Sequence, residues 1–182
     1  MRLIFTLSLV SLLIAGCSPS AVVKKDSTSY LYPPPIGTTI ELEQPLDVPP
    51  GHTRVFLQRG EVVSKQAFDR YVPSCNFEIR TLSEQVRIIS PESFLVTRIQ
   101  RETSEVVQLA LPKVLAGLHL AGMDSGLPMV VRSVHLWIGS DLQPDLMRLT
   151  CRGAFDDMPT AYPPSIEEMR EALGTHARIV LP

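Results

Sequence analysis

The chain has 182 residues, with 17 Lys and Arg against 19 Asp and Glu, and a net charge of −2. With 45% hydrophobic and 20% charged residues it holds material for one packed core, which excludes a disordered tether as its main content. The slightly acidic balance gives no basis for nucleic-acid binding, whose electrostatics demand clustered Lys and Arg.

At the start, Arg2 precedes an apolar run from Leu3 to Ile14, and the small residues Ala15 and Gly16 stand before Cys17. A positive n-region, a short apolar h-region and small residues before a cut are the three parts of an export signal. A spanning helix needs ~20 apolar residues, so no uncleaved anchor is expected. The stretch Ile14-Ala15-Gly16-Cys17 resembles the lipobox of bacterial lipoproteins. That resemblance implies that Cys17 carries diacylglycerol, that residues 1–16 are removed and that the new amino terminus is acylated. Diacylation plus N-acylation exceeds the two-signal requirement for stable anchoring. Ser18, in place of the Asp that the family uses for inner-membrane retention, implies the outer membrane.

With Cys17 consumed by lipid, Cys75 and Cys151 remain as an even pair in an oxidising compartment, and a disulfide is expected. The loop it would close spans about 75 residues, for which chain entropy gives about 4 kcal/mol. Neither cysteine lies in a C-x-x-C unit, and no histidine is spaced to complete a zinc site.

Residues 17–37 read as the lipidated terminus and a tether. Ser18-Pro19-Ser20, Lys24-Lys25-Asp26-Ser27-Thr28-Ser29 and Pro33-Pro34-Pro35 offer little to pack, and the proline triplet favours polyproline geometry. Tyr30 and Tyr32 are expected to lean on their own domain. The globular domain, residues 38–182, reads mainly as strands. Thr38–Leu42 alternates, Pro49-Pro50-Gly51 turns the chain, and Thr53–Gln58 forms a hairpin with Glu61–Val63 through Arg59-Gly60. Phe68–Tyr71 is expected to be extended. Cys75–Arg80 alternates, with Cys75, Phe77 and Ile79 inward and Asn76, Glu78 and Arg80 outward. Gln85–Ile99 reads as a second hairpin turning at Ser90–Ser93.

Val106–Gly122 is an apolar excursion containing Pro112 and Gly117, suited to a short helix, an apolar loop or a contact surface. Met129–Ile138 is the longest strand candidate, with Val130, Arg132, Val134, Leu136 and Ile138 opposite Val131, Ser133, His135 and Trp137. Leu146–Cys151 follows as its partner, so the disulfide would tie an early strand to this late pair across the sheet. Ser165–Leu173 carries the clearest helix pattern: Ser165 and Glu168 stand at capping-box spacing and Gly174 at the C-terminal cap. His176–Leu181 closes the chain as a strand. The expected class is therefore mainly β, a single sandwich or partly open barrel with a short C-terminal helix.

Catalytic signatures are sparse. His52, His119, His135 and His176 show no metal-binding spacing, and Gly122-Met123-Asp124-Ser125-Gly126 departs from G-x-S-x-G. Glu78 and Glu92 form a weak candidate for a glycosidase carboxylate pair. Asp156-Asp157, with Asp141 and Asp145 upstream, suits a solvated turn better than a calcium loop. Trp137 beside His135 offers a platform for a sugar or partner, although packing under a loop or the terminal helix is the commoner fate. The excess of basic residues over residues 52–101 is expected to scatter over solvated strand faces. Accordingly no catalytic, cofactor or metal residue is expected; lipidation falls on Cys17 and the disulfide on Cys75 and Cys151.

The globular part is also similar to uncharacterised small proteobacterial envelope proteins. The residues concerned are Pro49-Pro50-Gly51 before Thr53-Arg54-Val55-Phe56, Cys75-Asn76-Phe77-Glu78-Ile79, Leu149-Thr150-Cys151 and Ile166-Glu167-Glu168-Met169-Arg170 with Ala172-Leu173-Gly174. The similarity implies a paired Cys75 and Cys151 in a mainly β domain, and no activity. The expected function is that of a lipid-anchored outer-membrane lipoprotein facing the periplasm, a non-enzymatic binding or accessory subunit with an envelope protein partner and no nucleic acid. A membrane-presented inhibitor of a secreted or lytic enzyme and a hydrolase are the alternatives.

Overall fold

The structure, a computed structural model, describes residues 26–105 and 128–182. The expectations for residues 1–16, Cys17, Val106–Gly122, His119 and Asp124-Ser125-Gly126 lie outside them.

The fold is mainly β, with one short helix near the C-terminus. Its strands are β1 (Thr39–Leu42), β2 (Leu46–Val48), β3 (Arg54–Gln58), β4 (Glu61–Val63), β5 (Ser74–Ile79), β6 (Arg87–Ile89), β7 (Ser93–Glu105), β8 (Met129–Gly139), β9 (Leu146–Arg152), β10 (Asp156–Asp157) and β11 (Ala177–Val180), with helix α1 (Ile166–Leu173) before the last. One antiparallel sheet runs β11-β1-β7-β8-β9-β5-β3-β4 and curls into a half-barrel, with β10 on β8 and β2 paired with β6 apart from it. The open side is filled by α1, which packs on β3, β5 and β11.

Period-two alternation builds the core. Val55 and Leu57, Phe77 and Ile79, Leu149, Val134 and Leu136, Phe94 and Val96, and Ile40 and Leu42 all point to one side, where Ile166, Met169 and Leu173 of α1 meet them. The helix forms where its signals lie: Ser165 Oγ accepts from the Glu168 amide and the Glu168 carboxylate accepts from the Ser165 amide, the reciprocal capping box. Cys75 and Cys151 are directly opposed on adjacent strands with Cα atoms 4.0 Å apart, and their sulfurs are bonded. The bridge thus lies within the sheet, between neighbours.

Residues 27–37 lie on the domain. The Glu167 amide donates to Ser27 O, Arg101 donates to Leu31 O, Tyr30 stacks on Tyr162 at 5.1 Å, and Tyr32 packs against the core.

Three local expectations are corrected. The Gln85–Ile99 hairpin does not form: β6 pairs with β2, and β7 lies between β1 and β8. At the crossing, the Gln143 side chain receives the Ser90 amide at 2.8 Å and donates to Ser90 O at 3.0 Å, occupying backbone groups that a hairpin would have used. Phe68–Tyr71 is irregular because the buried Gln58 amide clamps it, donating to Asp69 O and Val72 O and accepting from the Asp69 amide. Asp156-Asp157 pairs with Val130 and Met129 as a two-residue strand instead of a free turn.

Arg59 and Gly60 both have positive φ, as a tight two-residue hairpin turn requires, and the Gly60 amide donates to Ala172 O at the end of α1. Gly174, at φ 56°, stands so close that a Cβ on it would overlap Gly60 Cα. Gly174→Ala is therefore expected to cost roughly 2 kcal/mol, from left-handed strain plus overpacking against backbone. A urea midpoint equal to wild type would show that turn and helix end separate freely.

Candidate functional site

The face of the sheet opposite the core carries charge in registered rows. Directly opposed positions on an antiparallel sheet share a face. One row runs across five strands: Arg54 on β3, Glu78 on β5, Arg148 on β9, Trp137 on β8 and Arg98 on β7. Arg54 reaches Glu78 Oε1 at 2.7 Å and Arg148 Nε reaches Oε2 at 2.6 Å, so each carboxylate oxygen faces its own guanidinium. Arg98 and Arg148 then stack on the Trp137 ring, at 3.9 and 5.1 Å from its centroid. An irregularity between Val96 and Arg98 makes this row possible: it skips Thr97, leaving Val96 on the core side and placing Arg98 opposite Trp137.

The second row is Phe56, Asn76, Thr150, His135 and Gln100, and the third is Ser74, Arg152, Ser133 and Glu102. His135 joins them, with Nδ1 2.9 Å from Thr150 Oγ1 and Nε2 2.7 Å from Glu102 Oε2. The tautomer that satisfies both partners carries its proton on Nε2, donates it to Glu102, and accepts the Thr150 hydroxyl at Nδ1.

Burial sets the charge states. His135 is 4% exposed, and desolvation pulls its pKa below the ordinary 6.5 even though the Glu102 hydrogen bond acts the other way. The imidazole is thus neutral at pH 7. Burial alone would raise Glu78, which is 6% exposed, but the hydrogen bonds and charges of Arg148 and Arg54 outweigh it and hold the carboxyl below its ordinary range. Glu102 is also lowered, first by the hydrogen bond from His135 and then by that from Ser104. Arg152 stands apart: its side chain makes no hydrogen bond or ion pair with a described residue, and desolvation, followed by the nearby Arg54, lowers its pKa against the opposing pull of Glu102 and Glu78.

A cavity of about 370 Å³ opens over these rows, lined by Arg54, Glu78, His135, Arg148, Thr150 and Arg152 among others. The Thr150–His135–Glu102 chain has the composition of a nucleophile relay, but its arrangement suits a structural role. Thr150 is 1% exposed. Its β9 segment pairs on both sides, with β5 and with β8, so the backbone amides around it belong to sheet ladders.

The other candidates are dispersed. Glu92 accepts from Ser140 and Gln143 and shares no partner with Glu78, so the two carboxylates belong to separate clusters. His52 binds Pro50 O in an exposed turn, and Asp145 pairs with Arg87 and Thr81. Among the described residues no three His, Cys, Asp or Glu side chains are grouped to hold a metal ion, and no helix is long and apolar enough to cross a membrane. Trp137 packs between two guanidinium groups, not under the terminal helix or a loop. Arg54 of β3 converges with Arg148 and Arg152 of β9 on one face, while Arg59 and Arg87 pair elsewhere, with Asp69 and Asp145. Glu102, Arg148 and Arg152 were not singled out by sequence, and Arg54 only as part of the stretch Thr53–Phe56. Their signal is polar positions in alternating strands, and it becomes specific only when the register of five strands is known.

The chain matches no protein family, no curated protein and no solved structure.

Proposed function

We propose that this chain is a lipid-anchored envelope lipoprotein, held through Cys17 in the outer membrane and facing the periplasm, that works as a non-enzymatic binding or accessory subunit. The anchor rests on Ile14-Ala15-Gly16-Cys17. The binding role rests on one observation above all: a cavity over an ordered charged face whose acid and base groups are already engaged. Glu78 is clamped by two arginines and His135 is spent on Thr150 and Glu102, an arrangement suited to holding a surface in shape and poor for moving protons. Rigid polar rows of this kind favour recognition, because little side-chain entropy is lost when a partner docks.

A photo-crosslinking residue placed at exposed Gln100 on the charged face, in the full chain in living cells, tests this. It is expected to capture an envelope protein that the same probe at exposed Ile88 on β6 does not capture, and the capture should vanish in Cys17→Ala. Equal capture from both positions, or capture indifferent to Cys17, would overturn the reading.

A further inference from the structure

A second cavity, of about 510 Å³, lies beside the first and is lined by Phe56, Phe68 and Phe155 together with Lys65, Arg70 and Glu105. The two meet at Ser104, Val131 and Arg152, which line both. Phe56 and Phe68 contact one another with centroids 5.5 Å apart, and the Gln58 clamp holds the loop that carries Phe68 and Arg70. The joined groove therefore has a charged end and an aromatic end, with a guanidinium between them.

We propose that this groove binds an anionic ligand, a carboxylate or phosphate monoester joined to an apolar ring, with the charged group on Arg152 and the ring against Phe56, Phe68 and Phe155. This names the ligand class for the face described above and rests on reading that face as a recognition surface.

Three observations carry it. First, Arg54 and Arg148 are spent on Glu78, whereas Arg152, at the junction, has no ion-pair partner among the described residues. Glu102 and Glu78 lie near enough to act on Arg152 through space, but neither hydrogen-bonds to it, so its guanidinium donors are left for an incoming anion to take up in paired, charge-assisted hydrogen bonds. Second, Lys65, Arg54, Arg70, Arg148 and Arg152 face three carboxylates in the groove lining, a positive patch on a chain of net charge −2. Such a patch attracts anions from solution. Third, ring faces at the far end provide apolar area of the kind that ligand sites use alongside a few polar groups.

The chain supplies its own reporter. Trp137 is the only tryptophan, and Arg148, which lines the cavity, stacks on it. Phenyl phosphate, benzoate, inorganic phosphate and benzyl alcohol would be titrated into the full chain in detergent while indole fluorescence is followed. Saturable changes are expected with phenyl phosphate and benzoate, and whichever binds more tightly identifies the headgroup. Inorganic phosphate should bind about tenfold more weakly than phenyl phosphate for lack of the ring. Arg152→Gln should weaken phenyl phosphate about tenfold or more. It should leave the urea midpoint in place, since no ion pair is lost; Arg152→Lys should restore part of the affinity. The proposal is overturned by equal affinity in Arg152→Gln, by benzyl alcohol binding as tightly as phenyl phosphate, or by no saturable change with either anion. Purified protein needs neither partner nor bilayer, so that failure is distinguishable from failed capture at Gln100 in cells.

Discussion

Replacing both bridging cysteines, Cys75→Ala with Cys151→Ala, is expected to lower the unfolding free energy by about 4 kcal/mol, the largest loss of any change considered. The bridge spans 76 positions, and the segment it encloses contains β6, β7 and β8. In the reduced chain the β5–β9 pairing must gather that whole loop from an open ensemble; in the oxidised chain the loop is already closed when unfolded. β5 and β9 are interior neighbours in the sheet, so their pairing also sets the rows of the charged face. Both sulfurs lie in the core between Leu57 and Val134. Reductant should accordingly act slowly on the native protein and quickly once urea opens it. Urea unfolding of wild type, reduced wild type and the double variant provides the comparison. The last two should coincide, well below the first; a difference under about 1 kcal/mol would sink the loop-closure account.

Glu78→Gln is expected to cost about 3 kcal/mol. The side chains are nearly isosteric, so packing survives, but Arg54 and Arg148 lose the one negative charge between them and meet an amide nitrogen that donates instead of accepting. Removing one partner of a fully buried pair costs about 3–5 kcal/mol. The lower end applies because the Arg54 side chain remains 40% exposed. The pH dependence has a definite sign. The folded Glu78 carboxyl is depressed below its ordinary 4.5, so its stabilisation is complete above that value and is lost as pH falls through the folded pKa. His135, depressed below 6.5, acts in the same direction: the unfolded chain takes up its proton first, and stability declines as pH falls below 6.5. Wild-type urea midpoints should therefore fall in two stages on acidification, and Glu78→Gln should show a smaller lower stage, the remainder belonging to Glu102 and Glu167. A lower stage as large in the variant as in wild type would assign it to the other carboxylates.

Local sequence determined the local elements. Ser165, Glu168 and Gly174 mark the helix because capping is a matter of neighbours within one turn, and the structure places it at Ile166–Leu173. Alternation separated Cys75, Phe77 and Ile79 from Asn76 and Glu78, and that division holds, because the strand period is a property of the backbone alone. What alternation does not carry is the environment of the second face. Asn76 and Glu78 are as buried as the core side of β5, because Arg54 and Arg148 arrive from strands 24 and 70 positions away.

Register and strand order are likewise non-local. The Gln85–Ile99 segment has the turn residues and apolar flanks of a hairpin, yet Leu46 and Val48 take its first half while β1 and β8 take its second. Its local preference was outweighed by pairings formed elsewhere. The charged rows are the sharpest instance. Each member is an ordinary polar residue on an ordinary strand, and a one-residue slip between β5 and β9 would send Arg148 to the core side and leave Glu78 with Arg54 alone. Sequence by itself determined the paired cysteines, the helix and the two faces of strands such as β5 and β8, all set by residues close together or by simple counting. Only the tertiary structure decided which faces meet, because cross-strand contact depends on bringing distant segments into one register, and that is settled by the packing of the whole core.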